Sequence, residues 1–129
     1  MRLFKNAWFE RFARKQGITD KALGAAVARA ERGLIDADLG GGVIKQRVAR
    51  PGQGKSGGFR TIILYRATER AFFVYGFAKS NRENIDNDEE ATFRKAAVHV
   101  LGLSEEHLAE LIAKGQFSEV HEHGEEIPE

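Results

Sequence analysis

Phe59-Arg-Thr-Ile-Ile-Leu-Tyr-Arg66 and Ala71-Phe-Phe-Val-Tyr-Gly-Phe-Ala-Lys79, separated by Ala67-Thr-Glu-Arg70, decide how this chain folds. Both runs are rich in β-branched and aromatic residues, which suit a pleated and half-buried surface, and the short polar link is of hairpin length. Upstream, Val43 to Ala49 places Ile44 and Val48 on one face and Lys45 and Arg47 on the other, the two-residue period of a half-exposed strand. Asp38-Leu-Gly-Gly-Gly42 reads as a turn before it. Arg50-Pro-Gly-Gln-Gly-Lys-Ser-Gly-Gly58, with one proline and four glycines, reads as a connecting loop, because these residues do not sit in strand interiors. Strands in immediate succession predict an antiparallel sheet.

Helical patterns flank this sheet. After a short extended start at Arg2 to Lys5, Trp8, Phe9, Phe12 and Ala13 recur at helical spacing and Gly17 supplies a stop. Thr19 can cap a second helix, whose Ala22, Leu23, Ala26, Val27 and Ala30 form a small-residue face ending at Gly33. The pair predicts a helical hairpin. Asp88, Glu89 and Glu90 mark the positive end of a later helix with Phe93, Ala96, Ala97, Val100 and Leu101 inward. Ser104 caps a last helix carrying Leu108, Leu111 and Ile112, with Gly115 at its end. The predicted class is α+β: an N-terminal helical hairpin on a small antiparallel-rich sheet, followed by C-terminal helices. One domain is expected over residues 1–115, with an acidic polar tail over 116–129.

The chain has 129 residues, 42% apolar and 30% charged, enough for one ordinary core and too apolar for disorder. No run is long and apolar enough to span a bilayer, and the first residues lack the hydrophobic stretch of a secretory signal, so no membrane association and a cytoplasmic location are expected. The absence of cysteine excludes disulfides, thiolate nucleophiles and cysteine-ligated zinc. A net charge of +1 conceals a division near Arg82: residues 1–82 hold 17 Lys/Arg against 6 Asp/Glu, and residues 83–129 hold 3 against 13. A basic body suits a polyanionic partner, because cations displace counterions from phosphates.

The candidate chemistry lies in the basic part. Lys45 and Arg47, two apart on a strand, project from one face about 7 Å apart, near the spacing of successive phosphates. Arg50 and Lys55 extend that patch into the loop, Arg60 opens the next strand, and Lys79 and Arg82 follow the third. All converge if the strands pair as neighbours. Phe59 and Tyr75 are the candidate base-stacking rings. The glycine-rich loop lacks the spacing and the following helix of a nucleotide-triphosphate loop. His99, His107, His121 and His123 all lie in the acidic part, away from the cations, and no metal site or cofactor is expected.

Asp38-Leu-Gly-Gly-Gly-Val-Ile-Lys-Gln-Arg-Val-Ala-Arg50, Gly54-Lys-Ser-Gly-Gly-Phe-Arg60 and Gly76-Phe-Ala-Lys-Ser-Asn-Arg-Glu-Asn-Ile85 resemble the RelE-like toxins of the RelE/HigB group. The resemblance covers nearly the whole chain. It implies a toxin of a type II toxin-antitoxin system that cuts mRNA on the ribosome and is neutralised by a cognate antitoxin; the expected chemistry is attack by the RNA 2′-hydroxyl without a metal. Family members often carry a tyrosine or histidine where this chain has Ile85 and Asp86. Carried across by motif, the strand cations are Lys45 and Arg47, the arginine after the Gly-aromatic pair is Arg60, and Lys79 and Arg82 match the basic segment after the last strand. Together with the loop and aromatic candidates, the expected catalytic set is Arg60, Lys79, Lys45 and Lys55, and the expected RNA-binding set is Arg47, Arg50, Arg82, Phe59 and Tyr75. Lys45 or Lys55 is the expected general base, since crowding among cations favours a neutral amine, with Tyr65 or Tyr75 behind them. The alternative is a noncatalytic, ParE-like inhibitor of a topoisomerase. Glu119, Glu122, Glu125 and Glu126 are candidates to shield the cations from within the chain.

Overall fold

A computed structural model describes residues 1–50 and 57–121. Six strands and four helices follow one another as β1 (Arg2–Asn6), α1 (Ala7–Gln16), α2 (Asp20–Glu31), β2 (Ala37–Gly40), β3 (Val43–Val48), β4 (Phe59–Arg66), β5 (Arg70–Ala78), α3 (Asn87–Val100), α4 (Glu105–Ala113) and β6 (Phe117–Val120). The strands form one sheet in the order β2-β3-β4-β5-β1-β6, antiparallel except where β1 runs parallel to β5.

The α+β class and the central hairpin are as expected, and three features differ. The chain opens with a strand, not with the helical hairpin, and Arg2 to Lys5 pair with Arg70 to Phe73 deep in the sheet. The segment read as a turn at residues 38–42 overlaps strand β2, whose register against β3 shifts between Asp38 and Gly40. Four residues assigned to the acidic tail, Phe117–Val120, form β6 on the far side of β1. Each of these strands is short, and β1 and β6 do not alternate.

Helices cover both faces of the sheet. One core joins Phe9, Ala13, Leu23, Ala26, Val27 and Ala30 of the helical hairpin to Ile44, Val48, Phe59, Ile63 and Phe73. The other joins Ala97, Leu101 and Leu108 to Phe4, Val43, Ile62, Leu64, Phe72 and Phe77. Helix ends are set by local chemistry. Asn6 and Thr19 accept the Phe9 and Ala22 N–H groups, and Gly17, at φ 72°, closes α1 in a left-handed conformation that glycine adopts without penalty. Asp86 and Glu89 form a reciprocal capping box on α3. Gly76 lets α1 approach β5, since a Cβ there would lie 2.7 Å from Phe12 Cε2.

Strand β3 is fastened to α2 by a buried polar side chain. Gln46 is 0% exposed; its amide nitrogen donates to the Ala26 and Leu34 carbonyls at 3.0 Å, and its oxygen accepts the Asp36 N–H at 2.8 Å. Replacing it removes the side-chain partner of all three backbone groups, of which the Ala26 contact is buried. Gln46→Ala is expected to lower unfolding free energy by about 3 kcal/mol, read from denaturant midpoints at constant slope; an unchanged midpoint would mean that the three contacts carry no net stability.

Candidate nucleic-acid interface

Strand alternation decides which cations share a face. Ile44, Gln46 and Val48 point toward α1 and α2, so Lys45 and Arg47 point the other way. Arg47 stands opposite Arg60 across β3 and β4, and Arg60 stands opposite Phe77 across β4 and β5. In the adjacent row, Lys45, Ile62 and Tyr75 are cross-strand partners. Beyond it, Val43, Leu64 and Phe72 lie fully buried in the core beneath α3 and α4. One sheet face thus changes from a helix-covered apolar floor to a part-exposed cationic surface.

The segment after β5 folds over this surface. Lys45 Nζ donates to Asn84 Oδ1 at 3.1 Å. Arg82 lies 5.8 Å from the Tyr75 ring centre and 5.7 Å from that of Phe77. Its guanidinium donates to Tyr75 Oη at 3.1 Å, to the Asn84 carbonyl at 3.0 Å, and to both carboxylate oxygens of Glu89 at 3.0 and 2.6 Å. Hydrogen bonding to Glu89, then to Tyr75, holds Arg82 in its charged form, and Arg82 in turn holds the Glu89 carboxyl below its ordinary value. Arg82 is therefore committed to bracing the segment, which its sequence position does not reveal.

The remaining expected site residues divide. Lys79 is exposed in the turn directly after β5. Neither Lys79 nor Arg60 makes a side-chain hydrogen bond or ion pair among the described residues. Arg50 does not join the cluster: its guanidinium sits 4.6 Å from the centre of the Phe59 ring, which belongs to the core under α1 and α2. Phe59, 1% exposed, offers no ring face to a base. Adjacent strand residues face opposite ways, so Arg60 on the open face requires Phe59 in the core. Lys55 lies outside the described residues. Tyr65 is removed from consideration as a base, because burial and then its hydrogen bond to Glu31 push its hydroxyl above the ordinary value, on the face opposite Arg60. Among the described residues no cluster of three His, Asp or Glu is arranged to hold a metal, and no helix is long and apolar enough to cross a membrane.

Asp36 was absent from the expected set. One carboxylate oxygen accepts the Arg47 N–H at 2.7 Å and the other accepts its guanidinium at 3.3 Å. Glu119, a candidate shield for the cations, instead receives two 3.0 Å hydrogen bonds from Arg2, three strands away from β3. Glu122, Glu125 and Glu126 lie outside the described residues.

A family model described as the RelE toxin of the RelE / RelB toxin-antitoxin system matches residues 1–120. The chain belongs to the RelE toxin family. Among curated proteins, none matches it. The match spans every strand and helix of the structure, including the opening strand and β6. As a RelE toxin, the protein has an antitoxin as its counterpart.

Asp36 supplies a pH test of how the RelE cation face is held. Burial opposes ionisation of its carboxyl, but the backbone and side-chain hydrogen bonds from Arg47 outweigh it and depress the pKa. A depressed carboxyl contributes stability above its unfolded value, about 4, and loses it as pH falls through the folded value. Asp36→Asn should therefore weaken the protein at neutral pH and reduce its further loss on acidification. Parallel stability-pH curves for the two proteins would contradict this.

Proposed function

We propose that this RelE toxin is a ribosome-dependent mRNA endoribonuclease. The observation that carries the reading is the opposed pair Arg47 and Arg60, with Lys45 in the next row, on a sheet face left open beside α3. Like charges directly across a sheet are unfavourable, and a phosphate between them converts that repulsion into attraction on both sides. The RNA 2′-oxygen attacks the adjacent phosphorus, the bond to the 5′-oxygen breaks, and the products carry a 2′,3′-cyclic phosphate and a 5′-hydroxyl. A base takes the 2′-proton, and an acid returns a proton to the departing 5′-oxygen.

In this reading Arg60 and Lys79 stabilise the charge that builds on the phosphoryl oxygens. Arg47 positions the backbone and Lys55 adds a further contact. Lys45 is the proposed base, oriented by Asn84, and Tyr75 stands beside it in the cross-strand row. Arg82 contributes by holding Tyr75 and the 79–84 segment. Antitoxin binding would silence the toxin by covering the same cations. The topoisomerase-inhibitor alternative gives Arg47 and Arg60 no role and is not favoured.

The test is cleavage of mRNA on translating ribosomes, followed by mapping of the new RNA ends. Arg60→Ala is expected to raise the barrier by about 2–4 kcal/mol, as for loss of one preorganised charge-stabilising contact. Lys45→Arg, which keeps the charge and loses the amine, is expected to be as impaired as Lys45→Ala. Full cutting by folded Arg60→Ala would remove this face from the chemistry.

A further inference from the structure

We propose that the exposed side of α1 forms a subsite for an unpaired nucleotide of the mRNA being cut, adjoining the cation face through Tyr75. This inference rests on the nuclease reading above. Trp8, the only tryptophan in the chain, is 39% exposed although it begins a helix with a well-formed core face. Its ring lies 5.1 Å from that of Phe12 at an interplanar angle of 16°, and 4.7 Å from that of Tyr75. Trp8, Arg11, Phe12, Lys15 and Gln16 line an open hollow of about 260 Å³. Large aromatic surface left in water is costly and marks contact sites.

The charges around the hollow identify what fits it. Trp8, Arg11 and Lys15 fall at i, i+3 and i+7, one face of the helix. Arg11 and Lys15 are exposed, and neither makes an ion pair among the described residues. The nearby carboxylates are engaged elsewhere, Glu10 with Arg14 at 3.6 Å and Asp20 with Lys5 at 3.3 Å. Two free cations flanking an aromatic surface match a phosphate on each side of a stacked base, and the Gln16 amide can donate to and accept from a base edge. Continuity selects the RNA: Tyr75, which touches Trp8, also accepts from Arg82 and stands opposite Ile62 in the row next to Arg47, Arg60 and Phe77. A strand crossing Arg47 and Arg60 can pass over Tyr75 and set its next unpaired base against Trp8 and Phe12.

The single tryptophan makes the subsite directly observable. A short unstructured RNA oligonucleotide titrated into the full-length toxin at low salt should quench Trp8 fluorescence saturably. By anisotropy of labelled RNA, Trp8→Leu is expected to weaken binding roughly tenfold, as for loss of one base-aromatic stack, while Trp8→Phe retains most of it. The double variant Arg11→Ala/Lys15→Ala should lower the slope of log affinity against log salt by about 1.4, at about 0.7 per phosphate contact on a single strand. Ribosomal cleavage without Trp8 quenching overturns the subsite and leaves the nuclease; quenching without cleavage overturns the nuclease and leaves the subsite. Stronger quenching by a polyglutamate peptide than by RNA assigns the groove to an acidic protein segment and overturns the proposal.

Discussion

Gln46 is the constraint on which the rest of the molecule turns. A glutamine amide buried without partners would destabilise the fold, and here its nitrogen and oxygen are both satisfied by backbone groups of α2 and of the connection that follows it. Those contacts fix the rotation of β3 about its own axis. With Ile44, Gln46 and Val48 held toward the helical hairpin, Lys45 and Arg47 have only the opposite face available. A slip of one residue would exchange the two sets, burying two cations and exposing the core. The cationic surface and the apolar core are therefore specified by the same register.

That register opposes Arg47 to Arg60, an arrangement that costs stability. The chain offsets part of the cost by placing Asp36 against Arg47. Arg82 is likewise neutralised by Glu89, so the face contains cations of two kinds: those tied into the scaffold and those, such as Arg60, without a side-chain partner among the described residues. In the proposed reading the second kind is left to meet the RNA backbone, beside an aromatic pair that Arg82 braces.

The central hairpin and β3 were legible because each carries its signal locally, in alternation or in an apolar run bounded by turn residues. The helix caps at Thr19 and Ser104 were legible for the same reason. Strand β1 was read only as an extended start, because its parallel partner β5 lies more than sixty residues away along the chain and no turn links the two. Strand β2 was hidden by glycines, and β6 by the acidic composition of its surroundings. Within the site, the cations of β3 and β4 followed from periodicity. The assignment of Phe59 did not, because Phe59 and Arg60 cannot both face solvent from one strand. Trp8 carried only a helical-spacing signal, and its place beside Tyr75 follows from the tertiary structure alone.

The division of charge along the sequence acquires a physical meaning from these contacts. The acidic half does not neutralise the basic half at large. Glu105 bridges Arg2 and Arg70 at 2.7 Å each, and Glu119 holds Arg2 from β6. Arg70 also donates to the Leu103 carbonyl, so α4 and β6 are tied to the β1 and β5 side of the sheet. These exposed pairs contribute modestly one by one, but all lie at the end of the strands away from Arg60, where β5 begins. Glu89 and Glu90 pair with Arg82 and Arg94, and among the described residues no carboxylate reaches Lys45, Arg60 or Lys79. Among the described residues, Glu105 and Glu119 thus fasten the C-terminal elements at the far end of the sheet, and Lys45, Arg60 and Lys79 keep their positive charge without a carboxylate partner.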